Sequence, residues 1–135
     1  MQITLFNSYE TEDEETKYNR TVFDIPEHNW QEGTVSTVTD KKLNTAKETT
    51  IFIPVTAIPP LKTYIGPKAY ANLPDTEKEN YFTFKAQDKV VLGDYQGAIN
   101  NIKDFNKLDN VVTIMTVEDN RFGSLNMRHF NIIAE

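Results

Sequence analysis

A chain of 135 residues and 15.5 kDa has room for one hydrophobic core and therefore for one domain, residues 1–135. Hydrophobic residues make up 39% and charged residues 25%, and eight Phe, six Tyr and one Trp supply bulk for a core, which excludes a disordered tail. The net charge of −6 argues against ordinary DNA binding, and the lack of cysteine excludes disulfides, thiolate metal sites and a thiol nucleophile.

In chain order, Ile3-Thr4-Leu5 reads as a first short strand. The opening Met1–Leu5 has neither the basic start nor the long apolar stretch of a secretory signal. No apolar run approaches the ~20 residues that span a bilayer. Glu10, Glu12, Asp13, Glu14 and Glu15 crowd five like charges into Glu10–Thr16, which reads as a solvated loop because such charges repel within a regular element. The rest of the chain is close to neutral. Tyr18–Ile25 forms a second strand, broken at Pro26, which has no N–H for a ladder. His28–Gln31 continues the sheet, and the Thr/Val-rich Thr34–Thr39 is extended. Lys41–Lys47 is a polar turn or a long-arm loop.

Thr49–Thr56 places Ile51, Ile53 and Val55 on one face and Phe52 and Pro54 on the other, with Pro54 favouring an edge or bulge. Pro67 suits the first helical position, so one or two helical turns follow it within Tyr64–Pro74. Tyr81–Ala86 alternates as a strand with Phe82, Phe84 and Ala86 on one side. Lys89–Leu92 is a further strand, stopped by Gly93-Asp94. Ile99, Ile102, Phe105 and Leu108 recur every three residues and predict the principal helix over Gly97–Leu108, covering one opening or face of the sheet. Val111–Val117 and Asn126–Ala134 form a terminal hairpin. Its connection, Glu118 to Leu125, is longer than a tight turn, with Gly123 available for a positive φ. The fold class is mainly β: a small bent sheet or β-barrel with one short helix in the C-terminal half.

Generic chemistry is sparse. The acidic segment lacks the glycine and alternating spacing of an EF-hand. His28 and His129 have no HxxxH spacing for zinc, and structural or interface roles account for them better than an acid–base dyad with Asp119 or Asp24. There is no GxSxG elbow, P-loop or GxGxxG fingerprint, and Gly66-Pro67-Lys68 reads as a turn. Catalytic, cofactor and metal residues are therefore all predicted as none. Tyr81, Phe82 and Phe84 beside Lys85 and Lys89 raise an oligonucleotide- or carbohydrate-binding barrel as an alternative. An alternating Phe face is more often core. The segment Asp119-Asn120-Arg121-Phe122-Gly123-Ser124 is the candidate protein interface. Asp119 or Asn120 fixes a turn, while Arg121 either pairs with Asp119 or reaches a partner.

The stretch Val117-Glu118-Asp119-Asn120-Arg121-Phe122-Gly123-Ser124, followed by Met127-Arg128-His129-Phe130, resembles a family of small proteins from phages and prophages of Gram-positive bacteria. Ile3-Thr4-Leu5-Phe6-Asn7, Val38-Thr39-Asp40-Lys41, Ile51-Phe52-Ile53-Pro54-Val55 and Tyr64-Ile65-Gly66-Pro67-Lys68-Ala69-Tyr70 fit the same order, so the resemblance spans most of the chain. Members often carry Trp where Phe130 stands. The resemblance implies a non-enzymatic virion protein of the neck, a head-closure or head–tail connector subunit forming a ring. Tail-completion and other minor virion proteins are of similar size. The implied partners are copies of the chain itself and portal, adaptor and tail proteins, with no membrane and no sequence-specific nucleic acid, although DNA passes through such a ring. The implied location is the virion, after synthesis in the host cytoplasm. An acidic lining of that channel by Glu10–Glu15 would repel phosphate.

Overall fold

The computed structural model describes residues 1–39, 42–124 and 127–135. The chain is mainly β, and its main sheet has seven strands curled into a half-barrel. In chain order the strands are β1 (Gln2–Glu10), β2 (Thr16–Asp24), β3 (Trp30–Thr39), β4 (Lys42–Pro54), β5 (Thr63–Tyr64), β6 (Tyr81–Phe82), β7 (Lys89–Leu92), β8 (Val111–Asn120) and β9 (His129–Ala134). The main sheet runs β2-β1-β7-β8-β9-β4-β3, and β5 pairs with β6 in a small parallel sheet. The curl stops short of closure, so β2 and β3 remain edges.

Period-two burial builds the larger core. Ile3 and Leu5 of β1, Phe23 of β2, Ile51 and Ile53 of β4, Ile114 of β8 and Phe130, Ile132 and Ala134 of β9 all turn inward. Phe82 and Phe84 fill the hollow of the half-barrel and are 0% and 2% exposed. They are core residues and offer no surface for a stacked base or sugar. Their rings meet Phe23, Tyr64 and Phe130 at centroid separations of 4.8–5.9 Å. A smaller cluster of Phe6, Val91 and Phe105 lies apart from this core, so β1 is buried on both faces.

Several expectations are corrected. The helix expected over Gly97–Leu108 is a 3₁₀ helix over Ile102–Lys107 only. Apolar spacing of three residues matches the 3.0-residue turn of that helix better than 3.6. Asn101 also fixes its start, accepting from the Lys103 N–H at 2.9 Å while Asp104 accepts from the Asn101 N–H at 3.2 Å. Tyr81–Ala86 is strand only at Tyr81 and Phe82, and Ala86 is exposed. Buried Asn7 takes over there, donating to the Thr83 carbonyl (2.7 Å) and accepting from the Thr83 N–H (3.2 Å) in place of a strand partner. Before β3, Glu27–Asn29 forms a 3₁₀ turn, so only Trp30 and Gln31 of the expected segment continue the sheet. The expected strand to Thr56 ends at Pro54, and Val55 opens a 3₁₀ turn.

Pro54 is neither on an edge strand nor at a bulge. It ends the interior strand β4, beyond the last β3 pair at Trp30↔Ile51, where its missing N–H leaves no ladder position empty. The predicted helical turns appear as α1 (Pro67–Ala71), with Pro67 in the first turn. Lys42–Lys47 is neither turn nor loop but the first half of β4; Lys41 lies outside the described residues.

That last difference shapes the molecule. Strand β9 pairs with β4 only from Thr49 to Pro54. The seven pairs from Gly33↔Glu48 to Thr39↔Lys42 therefore form a two-stranded arm continuing past the sheet. At strand rise it is about 24 Å long. A second, shorter hairpin joins β1 to β2 and carries the acidic residues at its tip. Glu12, Asp13, Glu14 and Glu15 are all exposed there, as expected of a solvated loop.

The two edges of the sheet differ. On β2 the Lys62 ammonium donates to the Arg20 carbonyl (2.6 Å), Asn19 Oδ1 (2.9 Å) and Thr21 Oγ1 (3.1 Å). Asn19 in turn donates to the carbonyls of Lys78 and Tyr81. These groups tie the 62–81 segment against β2. Edge β3 has no such cover among the described residues.

Candidate functional site

Strand β8 runs further than the sequence suggests: Glu118, Asp119 and Asn120 pair with Asn131, Phe130 and His129. Two of the six candidate residues thus sit at the end of a ladder, and only Arg121, Phe122, Gly123 and Ser124 lie in the connection. On the way the β8–β9 register shifts between Ile114 and Thr116, leaving Met115 as the extra residue.

The connection is held by its own side chains. Arg121 Nε lies 2.8 and 3.0 Å from the two Asp119 carboxylate oxygens, and Nη2 lies 2.7 Å from Oδ2. The Arg121 N–H also donates to Asp119 Oδ1 at 3.2 Å. This forked contact holds the Asp119 carboxyl below the ordinary carboxylate range and raises Arg121 above its ordinary value. The guanidinium lies over two rings as well, 4.6 Å from the Tyr64 centroid and 5.2 Å from that of Phe130. The pairing with Asp119, one of the two roles weighed for Arg121, is formed.

Gly123 and Ser124 are braced by the residues just before β9. Arg128 Nε donates to the Gly123 carbonyl at 3.2 Å. Gly123 has φ +124°, a backbone conformation that a side chain resists. The Ser124 carbonyl accepts from the Met127 N–H at 2.9 Å. His129 Nδ1 lies 2.8 Å from the Met127 carbonyl, which only accepts, so Nδ1 carries the proton. Nε2 is then the acceptor for the Asn120 amide at 3.3 Å. The same imidazole stacks on Phe52, with centroids 4.0 Å apart. His129 is thus a bracket between β9 and β4. His28, the other histidine, lies in the 3₁₀ turn before β3.

The described part of the connection leaves Phe122 87% exposed, and Met127, after residues 125–126 that lie outside the described ones, is 66% exposed. The neighbours of Phe122 are fixed by an ion pair, a positive-φ glycine and a carbonyl contact. The sequence pointed to the segment but put the emphasis on Arg121. Phe122 is as exposed as Leu61, at 87% against 88%, and differs from it in standing next to the Asp119–Arg121 pair.

A second feature was not legible in the sequence. Where β1 and β2 approach their shared hairpin, a cleft of about 770 Å³ opens between them, α1 and the start of the 3₁₀ helix. Tyr9, Tyr18 and Tyr70 wall it, with Ile102 at its margin. Burial pushes all three phenols up, Tyr70 to about 12. Lys78, almost fully buried, stands between rings, its Nζ 5.4 Å from the Tyr9 centroid and 5.6 Å from that of Tyr70. It donates to the Leu73 carbonyl at 2.6 Å. Lys85 is paired with buried Asp88 at 2.6 Å and reaches Ser8 Oγ at 3.1 Å. With both ammonium groups engaged, the cleft is an aromatic recess rather than an anion site. Its residues are separated by up to 94 positions in the sequence, which hid them. Among the described residues no group of three or more His, Asp or Glu is placed to hold a metal ion.

Compared with known proteins, the whole chain, residues 1–135, matches the model of a family of unknown function, DUF6751, and the chain belongs to that family. No curated protein and no solved structure matches it.

Proposed function

We propose that this chain is a non-catalytic structural subunit of a phage neck, a head-closure or head–tail connector protein that assembles with copies of itself around an axis. The observation that carries the reading is the arm formed by β3 and β4. A lone two-stranded ribbon is marginally stable in water. This one extends past the sheet for seven residue pairs, and among the described residues no further strand pairs with it. Beyond Glu32, β3 has no charged residue or proline to discourage strand pairing. An arm of that design is stabilised by contact with another subunit. The braced Arg121–Ser124 loop supports the same reading, as does the resemblance of the C-terminal segment to small virion proteins. Tail completion is the neighbouring role with the same needs.

The test replaces Thr34–Lys47 by Asn-Gly, which closes the hairpin next to the sheet. The truncated chain is expected to keep the melting temperature of the wild type within a few degrees and to fail to enter particles in a phage complementation assay. Normal incorporation into infectious particles would refute the arm's role.

A further inference from the structure

We infer that Phe122 of one copy inserts into the tyrosine-walled cleft of the next copy, a head-to-tail contact that joins two different faces of the same chain. The inference rests on the self-assembly reading above and names the contact that performs it.

Two features of one chain fit each other. Phe122 is 87% exposed between an Arg121 already forked onto Asp119 and a Gly123 whose carbonyl accepts from Arg128, so part of the ordering precedes association. The cleft offers about 770 Å³ beside the partly exposed Tyr9 and Tyr18 and the exposed Ile102, with buried Tyr70 behind them, ample for a phenyl ring and its neighbours. Among the described residues none that lines the cleft belongs to the Asp119–His129 segment, so knob and recess are separate surfaces. Buried aromatic anchors surrounded by a polar rim are the usual source of binding energy at protein interfaces.

Charge selects a second copy as the occupant. Exposed Arg128 flanks the knob, and among the described residues its guanidinium meets the Gly123 carbonyl and no carboxylate. The recess is bordered by Glu10 and Thr16, the two ends of the acidic hairpin tip, which carries Glu12, Asp13, Glu14 and Glu15 in solvent. Seating Phe122 in the cleft brings a cation toward that cluster of carboxylates. The concentration of acid at Glu10–Glu15 thereby acquires a purpose: it steers and orients the neighbouring subunit. Because the two faces differ, the contact is heterologous, and repetition of it generates a ring or an open chain of subunits.

The experiment uses two variants of the full chain. Phe122→Asp spoils the knob, and Ile102→Glu spoils the recess at an exposed position. Both are checked for unchanged melting, then followed by sedimentation velocity up to about 1 mM, a range that captures weak contacts. The wild type is expected to associate with increasing concentration, and less so in high salt. Each variant alone is expected to lose about 30-fold or more in association. An equimolar mixture, which contains one intact knob and one intact recess, should form a 1:1 dimer and nothing larger. Wild-type assembly unaltered by Phe122→Asp would overturn this contact while leaving self-assembly standing. A mixture that stays monomeric, or a wild type that is monomeric throughout the range, would also overturn it; the arm truncation tests the neck role separately.

Discussion

Replacing Arg121 by alanine separates bracing from direct contact. The substitution removes the fork onto Asp119 and the cation over Tyr64 and Phe130. The two partners of the ion pair are 39% and 34% exposed, so solvent screens the pair and it is worth about 0–1 kcal/mol. The cation–ring contact adds about 0.5–1 kcal/mol at a partly exposed position. The expected loss is therefore about 0.5–2 kcal/mol. For a chain of this size each kcal/mol moves the melting temperature by roughly 3–5 °C, so calorimetry should show a drop of about 2–10 °C. Arg121→Lys keeps the charge but loses the planar fork, and should recover less than half of the drop. In the assembly assay Arg121→Ala should be milder than Phe122→Asp, because it loosens the loop without removing the anchor. An unchanged melting temperature combined with complete loss of assembly would refute the bracing role and make Arg121 a direct contact.

Three further outcomes follow from the geometry. Phe84→Ala empties a site between Phe23, Phe82 and Phe130 and should cost about 3–5 kcal/mol in chemical denaturation; a loss below about 1 kcal/mol would place Phe84 outside the core. Gly123→Ala puts a side chain at φ +124° and should destabilise by more than about 1 kcal/mol although no atom of the described residues obstructs the new methyl, so a neutral effect would reject the strain argument. Burial lowers the Lys62 ammonium to about 8, below its unfolded value of 10.5, so the unfolded chain binds more protons between those limits. Stability relative to Lys62→Met should therefore rise as pH climbs from 8 to 10, and urea titrations showing a fall would contradict it.

The fold was legible wherever local pattern and burial coincide. Ile51 and Ile53, the Pro67 helix start and the alternation of Phe130, Ile132 and Ala134 all read directly as placed. The misreadings have separate causes. Asn7 replaces a strand partner for Thr83 from 76 residues away, so the alternation at Tyr81–Ala86 misleads. The threefold spacing at Ile99–Leu108 marked a 3₁₀ helix and was mistaken for an α-helix, since both place every third residue near one face. Lys42–Lys47 has strand geometry without strand composition, and its ladder partner is the adjacent β3. At the candidate site, Gly123 and the Asp119–Arg121 pair were local enough to be read. Phe122 stood out only once its exposure was known, and the cleft joins residues from Ser8 to Ile102 that no sequence window contains.

The central claim is that this chain is an assembled part of a virion neck. Cryo-microscopy of particles carrying it, with the chain located by fitting its half-barrel into the density, tests that claim most directly. The account predicts a ring of copies at the junction of head and tail, with the β3–β4 arm against a neighbouring subunit and Phe122 seated in the adjacent cleft. Particles that contain no copy of the chain, or that carry it as an isolated monomer away from the neck, would contradict it.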